Sequence, residues 1–84
     1  MRSKFALMTY ELGMGYTNGW GCSEDKGVGL RYFEIAASWG DVDALSEAGY
    51  AYANGQGCKK DLKKSAKYYR MAAENGASMV GNSW

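Results

Sequence analysis

Shifted by 36 residues without a gap, the sequence matches itself: YTNGWGC at 16–22 falls on YANGQGC at 52–58. At the same offset Glu11 meets Glu47, Gly13 meets Gly49, Asp25 meets Asp61, Tyr32 meets Tyr68, Ala36 and Ala37 meet Ala72 and Ala73, and Gly40 meets Gly76. A fixed period of roughly 20–50 residues marks an array of supersecondary units, each burying its apolar face against the next. The 84 residues then form one domain, 1–84, with units at about 6–40 and 42–76 and the start of a third at 77–84.

Within the second unit, Ala44, Ala48 and Tyr52 recur at helical spacing and share one face of a first helix. Gly49 interrupts that face at a cost of about 1 kcal/mol in helix propensity, as Gly13 does in the first unit, and the return expected is close approach of a neighbouring helix. Asn54 and Gly55 stop the helix. Asp61 is placed to cap a second helix, whose inner stripe is predicted as Leu62, Ala66, Tyr69 and Ala73, ending at Gly76. The first unit repeats this with Asp25 as cap, Leu30, Phe33 and Ala37 inside, and Gly40 at the end; Gly27 and Gly29 weaken its first turn. Asp41 is positioned to cap the next first helix, so short connections give antiparallel pairs. The expected architecture is all-α: an α-solenoid of helix-turn-helix hairpins, two repeats plus the first helix of a third.

The order of alanine, glycine after a small or apolar residue, tyrosine, GxG, a small residue, aspartate, an aromatic pair and AAxxG resembles the Sel1-like repeat, an αα-hairpin related to tetratricopeptide repeats. The second unit carries it as Ala44, Ala48–Gly49, Tyr52, Gly55 with Gly57, Cys58, Asp61, Ser65–Ala66, Tyr68–Tyr69, Ala72–Ala73 and Gly76. The first carries it as Leu12–Gly13, Tyr16, Gly19 with Gly21, Cys22, Asp25, Tyr32–Phe33, Ala36–Ala37 and Gly40. The sequence departs from the pattern in having cysteine where valine is commoner and Ala48 for leucine, and it lacks the paired cysteines of the secreted branch. It is also similar to fungal regulatory proteins of this family, including chitin synthase activators and cell-cycle regulators. The resemblance implies a protein-interaction scaffold or adaptor that binds a partner peptide or protein.

By analogy with tetratricopeptide repeats, the concave face would present Tyr10, Met14, Asn18, Ser46, Tyr50 and Asn54, with Met79 and Asn82 in the third unit. Aromatic and flexible apolar groups alternating with amides suit an extended peptide. The competing reading packs Tyr10, Met14 and Tyr50 between helices and uses both asparagines as helix stops, the favoured role for the asparagines. Charge is divided along the chain: residues 24–47 carry a net −4 and residues 59–74 a net +4. Lys60, Lys63, Lys64, Lys67 and Arg70 make a basic stripe on the second helix, which could attract nucleic acid or an anionic surface. A solvated helix face is the commoner origin of such a run, and Tyr68 is the one aromatic expected to interleave it.

Catalysis is not expected, because the chain has no histidine, the usual acid–base group and metal ligand near neutral pH. No cofactor or metal is implied. Cys22 and Cys58 stand one repeat apart, about 10 Å for stacked helices against the roughly 7 Å limit of a disulfide, and are expected to be small buried thiols in a reducing compartment. With no apolar run near the roughly 18 residues of a membrane span, the expected location is the cytoplasm. Two hairpins fall short of the roughly three repeats a solenoid needs. The open ends are therefore expected to meet further repeats of a longer chain, or to make this chain a self-associating module whose copies pair end to end or exchange helices.

Overall fold

The computed structural model describes residues 3–21 and 23–76, which form four helices: α1 (Lys4–Asn18), α2 (Lys26–Ser38), α3 (Val42–Asn54) and α4 (Leu62–Glu74). Cys22 and the third-unit residues 77–84, with Met79 and Asn82, lie outside the described residues. Each helix packs on the next in the chain, α1 on α2, α2 on α3 and α3 on α4.

The helices begin where a side-chain oxygen accepts a free backbone N–H. Asp25 Oδ1 accepts from Val28 at 3.1 Å, buried Asp41 from Ala44 at 3.0 Å, and Asp61 from Lys63 and Lys64 at 3.0 and 3.1 Å, as the sequence predicts. Ser3 does the same for α1, accepting from Ala6. Helices α1 and α3 end on left-handed Gly19 (φ 73°) and Gly55 (φ 68°), whose N–H groups donate to the carbonyls of Gly15 and Ala51. The turns then fold back identically: Asp25 N–H donates to the Tyr16 carbonyl at 2.7 Å and Asp61 N–H to the Tyr52 carbonyl at 2.8 Å. The repeated phrase thus encodes a repeated tertiary hydrogen bond.

The core consists chiefly of alanine. Ala36, Ala37, Ala44, Leu45 and Ala72 form one cluster, flanked by Tyr10, Val42, Tyr68 and Met71; Leu30, Ala48 and Ala51 form another with Tyr52, Cys58 and Tyr68 around it. Small residues allow close helix approach. A Cβ at Gly13 would lie 2.7 Å from the Phe33 ring and 3.0 Å from the Gly29 carbonyl, and one at Gly29 would run into Thr17 and the Gly13 carbonyl. The glycines that weaken α2 locally are what let α1 lie on it. In the second repeat Ser65 stands at the position of Gly29 and Ala53 at that of Thr17. The larger and smaller residues have changed sides.

One predicted stripe is corrected. Leu30, Phe33 and Ala37 are buried as expected, but their counterparts Ala66, Tyr69 and Ala73 are exposed, and Leu62 is 63% exposed. On α4 the buried residues are Ser65 and Ala72, with Tyr68 half-buried. The reason is coverage. Helix α2 lies between α1 and α3 and so buries a wide arc, whereas among the described residues α4 packs chiefly on α3 and reaches α2 only along the edge that carries Tyr68 and Ala72.

Candidate functional site

The six expected groove residues separate into four groups. Tyr10 is half-buried, its ring 5.6 Å from that of Phe33 and packed against the alanine cluster, so it belongs to the packing between helices. Asn18 and Asn54 donate their side-chain amides to the carbonyls of Met14 (2.9 Å) and Tyr50 (3.0 Å), four residues back, which is helix-end chemistry. Ser46 and Tyr50 come together with Glu47 and Tyr69 around an open groove of about 340 Å³. Met14 is half-buried and does not line this groove.

Tyr50 is 49% exposed and Tyr69 36%. Tyr69 lies over Gly49, where an added Cβ would stand 3.1 Å from its ring, so the glycine lets it approach α3 closely. Burial raises the Tyr69 phenol above its ordinary range, with the charge of Glu47 adding to the effect. Burial likewise raises the Glu47 carboxyl, with Asp43 contributing. Sequence reasoning missed Glu47, which the repeat marks only through Glu11, and placed Tyr69 in the core because it shares helical spacing with Leu62, Ala66 and Ala73.

The basic stripe is solvent-exposed over Lys60, Lys63, Lys64, Lys67 and Arg70, but its chemistry differs from expectation. Tyr68 is engaged within the protein, its ring stacked on Tyr52 at 5.8 Å and its hydroxyl donating to Glu34 Oε2 at 3.2 Å. Tyr52 donates to the same oxygen at 2.8 Å, and Lys64 Nζ lies 4.9 Å from the Tyr52 ring centroid. A second groove, about 200 Å³, runs beside this cluster between Glu34, Lys64, Lys67 and Tyr68. The carboxylate there counters the lysines and disfavours a phosphate. The first repeat has the same tyrosine stack, Tyr16 on Tyr32 at 5.6 Å.

Cys58 is a free, half-buried thiol whose Sγ donates to the Ala51 carbonyl at 3.6 Å. Burial first, then the Glu34 charge, pushes its pKa up, with Lys64 opposing; it stays a neutral thiol. Among the described residues no group of three His, Cys, Asp or Glu side chains is placed to hold a metal, and no helix is long and apolar enough to cross a membrane.

The Glu34 cluster makes stability depend on alkaline pH. Burial first and then Glu34 hold the Tyr52 and Tyr68 phenols above their ordinary values. Unfolded tyrosine loses its proton near pH 10 while the folded pair retains it, so the folded state binds more protons and stability falls as pH rises beyond that point. We expect the melting temperature to hold up to about pH 9.5 and then drop, and Glu34→Gln, which can still accept from both hydroxyls, to make the drop shallower. Thermal melts of both proteins from neutral to strongly alkaline pH test this; parallel curves would exclude Glu34 as the coupled charge.

Comparison with known proteins agrees with this architecture. The sequence pattern of the Sel1 repeat matches residues 6–41 and again 42–76. A 47-residue stretch is 40% identical to the mitosis inhibitor nif1 of Schizosaccharomyces pombe, covering 56% of this chain and 7% of that protein. The crystal structure of a Sel1 repeat protein from Oxalobacter formigenes superposes with a TM-score of 0.81 at 28% identity, over 82% of this chain and 28% of that one. That of c5321, a protective antigen of uropathogenic Escherichia coli with an SLR fold, gives 0.82 at 35% identity, over 84% of this chain and 15% of that one. The chain thus spans less than a third of the length of each of these relatives. Two consecutive pattern matches, carried by a helical-hairpin architecture that those structures share, show that the chain belongs to the Sel1 repeat family.

Proposed function

We propose that the chain is a protein-interaction module of scaffold or adaptor type, which holds a partner peptide in the groove formed by Ser46, Glu47, Tyr50 and Tyr69. The observation that carries this reading is the pair of part-exposed tyrosines on one groove. Flat aromatic surface with a hydroxyl at its edge is the commonest anchor of protein interfaces and loses little conformational entropy on binding. Ser46 and Glu47 add an acceptor-rich wall that favours a peptide with backbone or side-chain donors. The likeness of part of the chain to a mitosis inhibitor supports a regulatory setting for such an adaptor.

Selection from a displayed random-peptide library, followed by titration of the winning peptides, tests the groove. Tyr50→Ala is expected to weaken them by at least about tenfold, the effect of a modest interface anchor, while Lys67→Ala, on the other groove, leaves them unchanged. Peptides that bind both variants like the parent would place binding elsewhere.

A further inference from the structure

The junction between the two repeats shows which residues must meet when one repeat stacks on another. Leu30 of α2 meets Ala48 and Ala51 of α3; Ala37 meets Ala44 and Leu45; Lys26 and Gln56 line one small cavity; and Glu34 takes the hydroxyls of Tyr52 and Tyr68. The 36-residue offset transfers each partner to the outer face of α1 or of α4. The outer face of α1 corresponds to the face that α3 turns to α2, and the outer face of α4 to the face that α2 turns to α3.

The transferred partners suit one another. Leu30 opposite Ala48 becomes Ala66 opposite Leu12, the same pair of volumes with sides exchanged, a swap that packed interfaces tolerate best. Ala37 against Ala44 and Leu45 becomes Ala73 against Met8 and Thr9. Lys26 and Gln56, both polar, become Leu62 and Trp20, both apolar. Glu34, which accepts from two stacked tyrosines, becomes Arg70, which would meet the stacked pair Tyr16 and Tyr32, a cation for aromatic faces and phenol oxygens. The same exchange operates inside the molecule, where Gly29 with Thr17 gives way to Ser65 with Ala53.

Both ends also expose what such contacts would bury. Met8 is 59% exposed and Leu12 47%, beside an open groove of about 480 Å³ that Tyr16 and Trp20 also line. We propose that the chain stacks head to tail on a second copy of itself, α1 of one copy lying on α4 of the next as α3 lies on α2. The occupant of each open end is thus the opposite end of another copy. Because the two contact surfaces differ, the contact is heterologous and, unless it closes into a ring, extends into a filament. This inference is independent of the peptide groove, and the residues that test it, Leu12 and Ala66, do not line that groove.

Sedimentation equilibrium of the full chain tests it with two blocked variants, Leu12→Glu at the head and Ala66→Glu at the tail. Both positions are solvent-exposed on helices, so circular dichroism should show unchanged helix content. The parent is expected to grow in mass with concentration, each blocked variant to stay monomeric, and their equimolar mixture to stop at a dimer, one sound head on one sound tail. A size exchange gives a second readout: Leu12→Ala alone and Ala66→Leu alone are each expected to weaken association by about tenfold or more, and the double variant to recover it. A parent that stays monomeric at its solubility limit would overturn the proposal. So would a mixture that forms no dimer, or a blocked variant that dimerises as well as the parent, the mark of a symmetric contact.

Discussion

Replacing Leu45 by alanine is expected to lower the melting temperature by at least about 10 °C, the largest effect of any single side-chain truncation in this molecule. Among the described residues Leu45 is the one large side chain with no solvent exposure, and it sits where Ala36, Ala37 and Ala72 converge from α2 and α4. Truncating a buried leucine costs about 2–5 kcal/mol, depending on how far the surroundings collapse into the cavity. Here the buried neighbours are alanines, whose side chains have no rotamer that could swing into the space. A domain of this length holds only roughly 4–13 kcal/mol in total, so the variant should be partly unfolded near body temperature. Calorimetry or a thermal melt followed by circular dichroism decides the point, and a fall of less than about 3 °C would mean that Leu45 is not enclosed as described.

The second large effect runs against helix propensity. In an isolated helix, Gly29→Ala should stabilise by about 1 kcal/mol. In this protein it is expected to destabilise by about 1–2 kcal/mol, because overpacking a tight crossing costs about 1–3 kcal/mol and a Cβ there runs into Thr17 and stands 2.9 Å from the Gly13 carbonyl. Gly27→Ala is the control. It lies two residues away on the same helix, and its Cβ would make ordinary contacts at 3.4 Å and beyond, so it should be neutral or stabilising. Adding Thr17→Ala to Gly29→Ala removes one of the two obstacles and should recover about half of the loss, leaving the backbone carbonyl as the remainder. Urea denaturation of the parent, Thr17→Ala, Gly29→Ala and the double variant measures the coupling; additive effects would show that α1 and α2 do not meet at these residues.

These two sites also show what the sequence could and could not convey. The period, the aspartate caps, the glycine stops and the identity of the four helices follow from local chemistry repeated at one offset, and local chemistry is legible in a string. The face that α4 buries was not, because Leu62, Ala66, Tyr69 and Ala73 have the same helical spacing as the buried Leu30, Phe33 and Ala37. Spacing shows that a face is apolar, whereas burial needs a neighbour to cover it. Glu34 was missed for a related reason. It serves two tyrosines 18 and 34 residues further on, and its own counterpart in the next repeat is Arg70, so periodicity gives no sign of its role. Of the six groove candidates, Ser46 and Tyr50 share a groove, Asn18 and Asn54 perform the capping that asparagine before glycine suggests, and Tyr10 is drawn into packing by Phe33, a contact between helices that no window on α1 contains.

The packing of each helix on its chain neighbours bears on how the molecule reaches its native state. Neither of the hydrogen bonds that tie Glu34 to the second repeat reaches further than the 34 residues to Tyr68, and the turns close on the helix that has just been made, Asp25 on Tyr16 and Asp61 on Tyr52. The entropy of loop closure grows only with the logarithm of loop length, and chains dominated by such local contacts cross their folding barrier in microseconds to milliseconds. Helix pairs can form wherever a hairpin first nucleates and recruit the next hairpin along. Speed of assembly is therefore a property of the architecture itself, set by the order in which the chain visits its own surface.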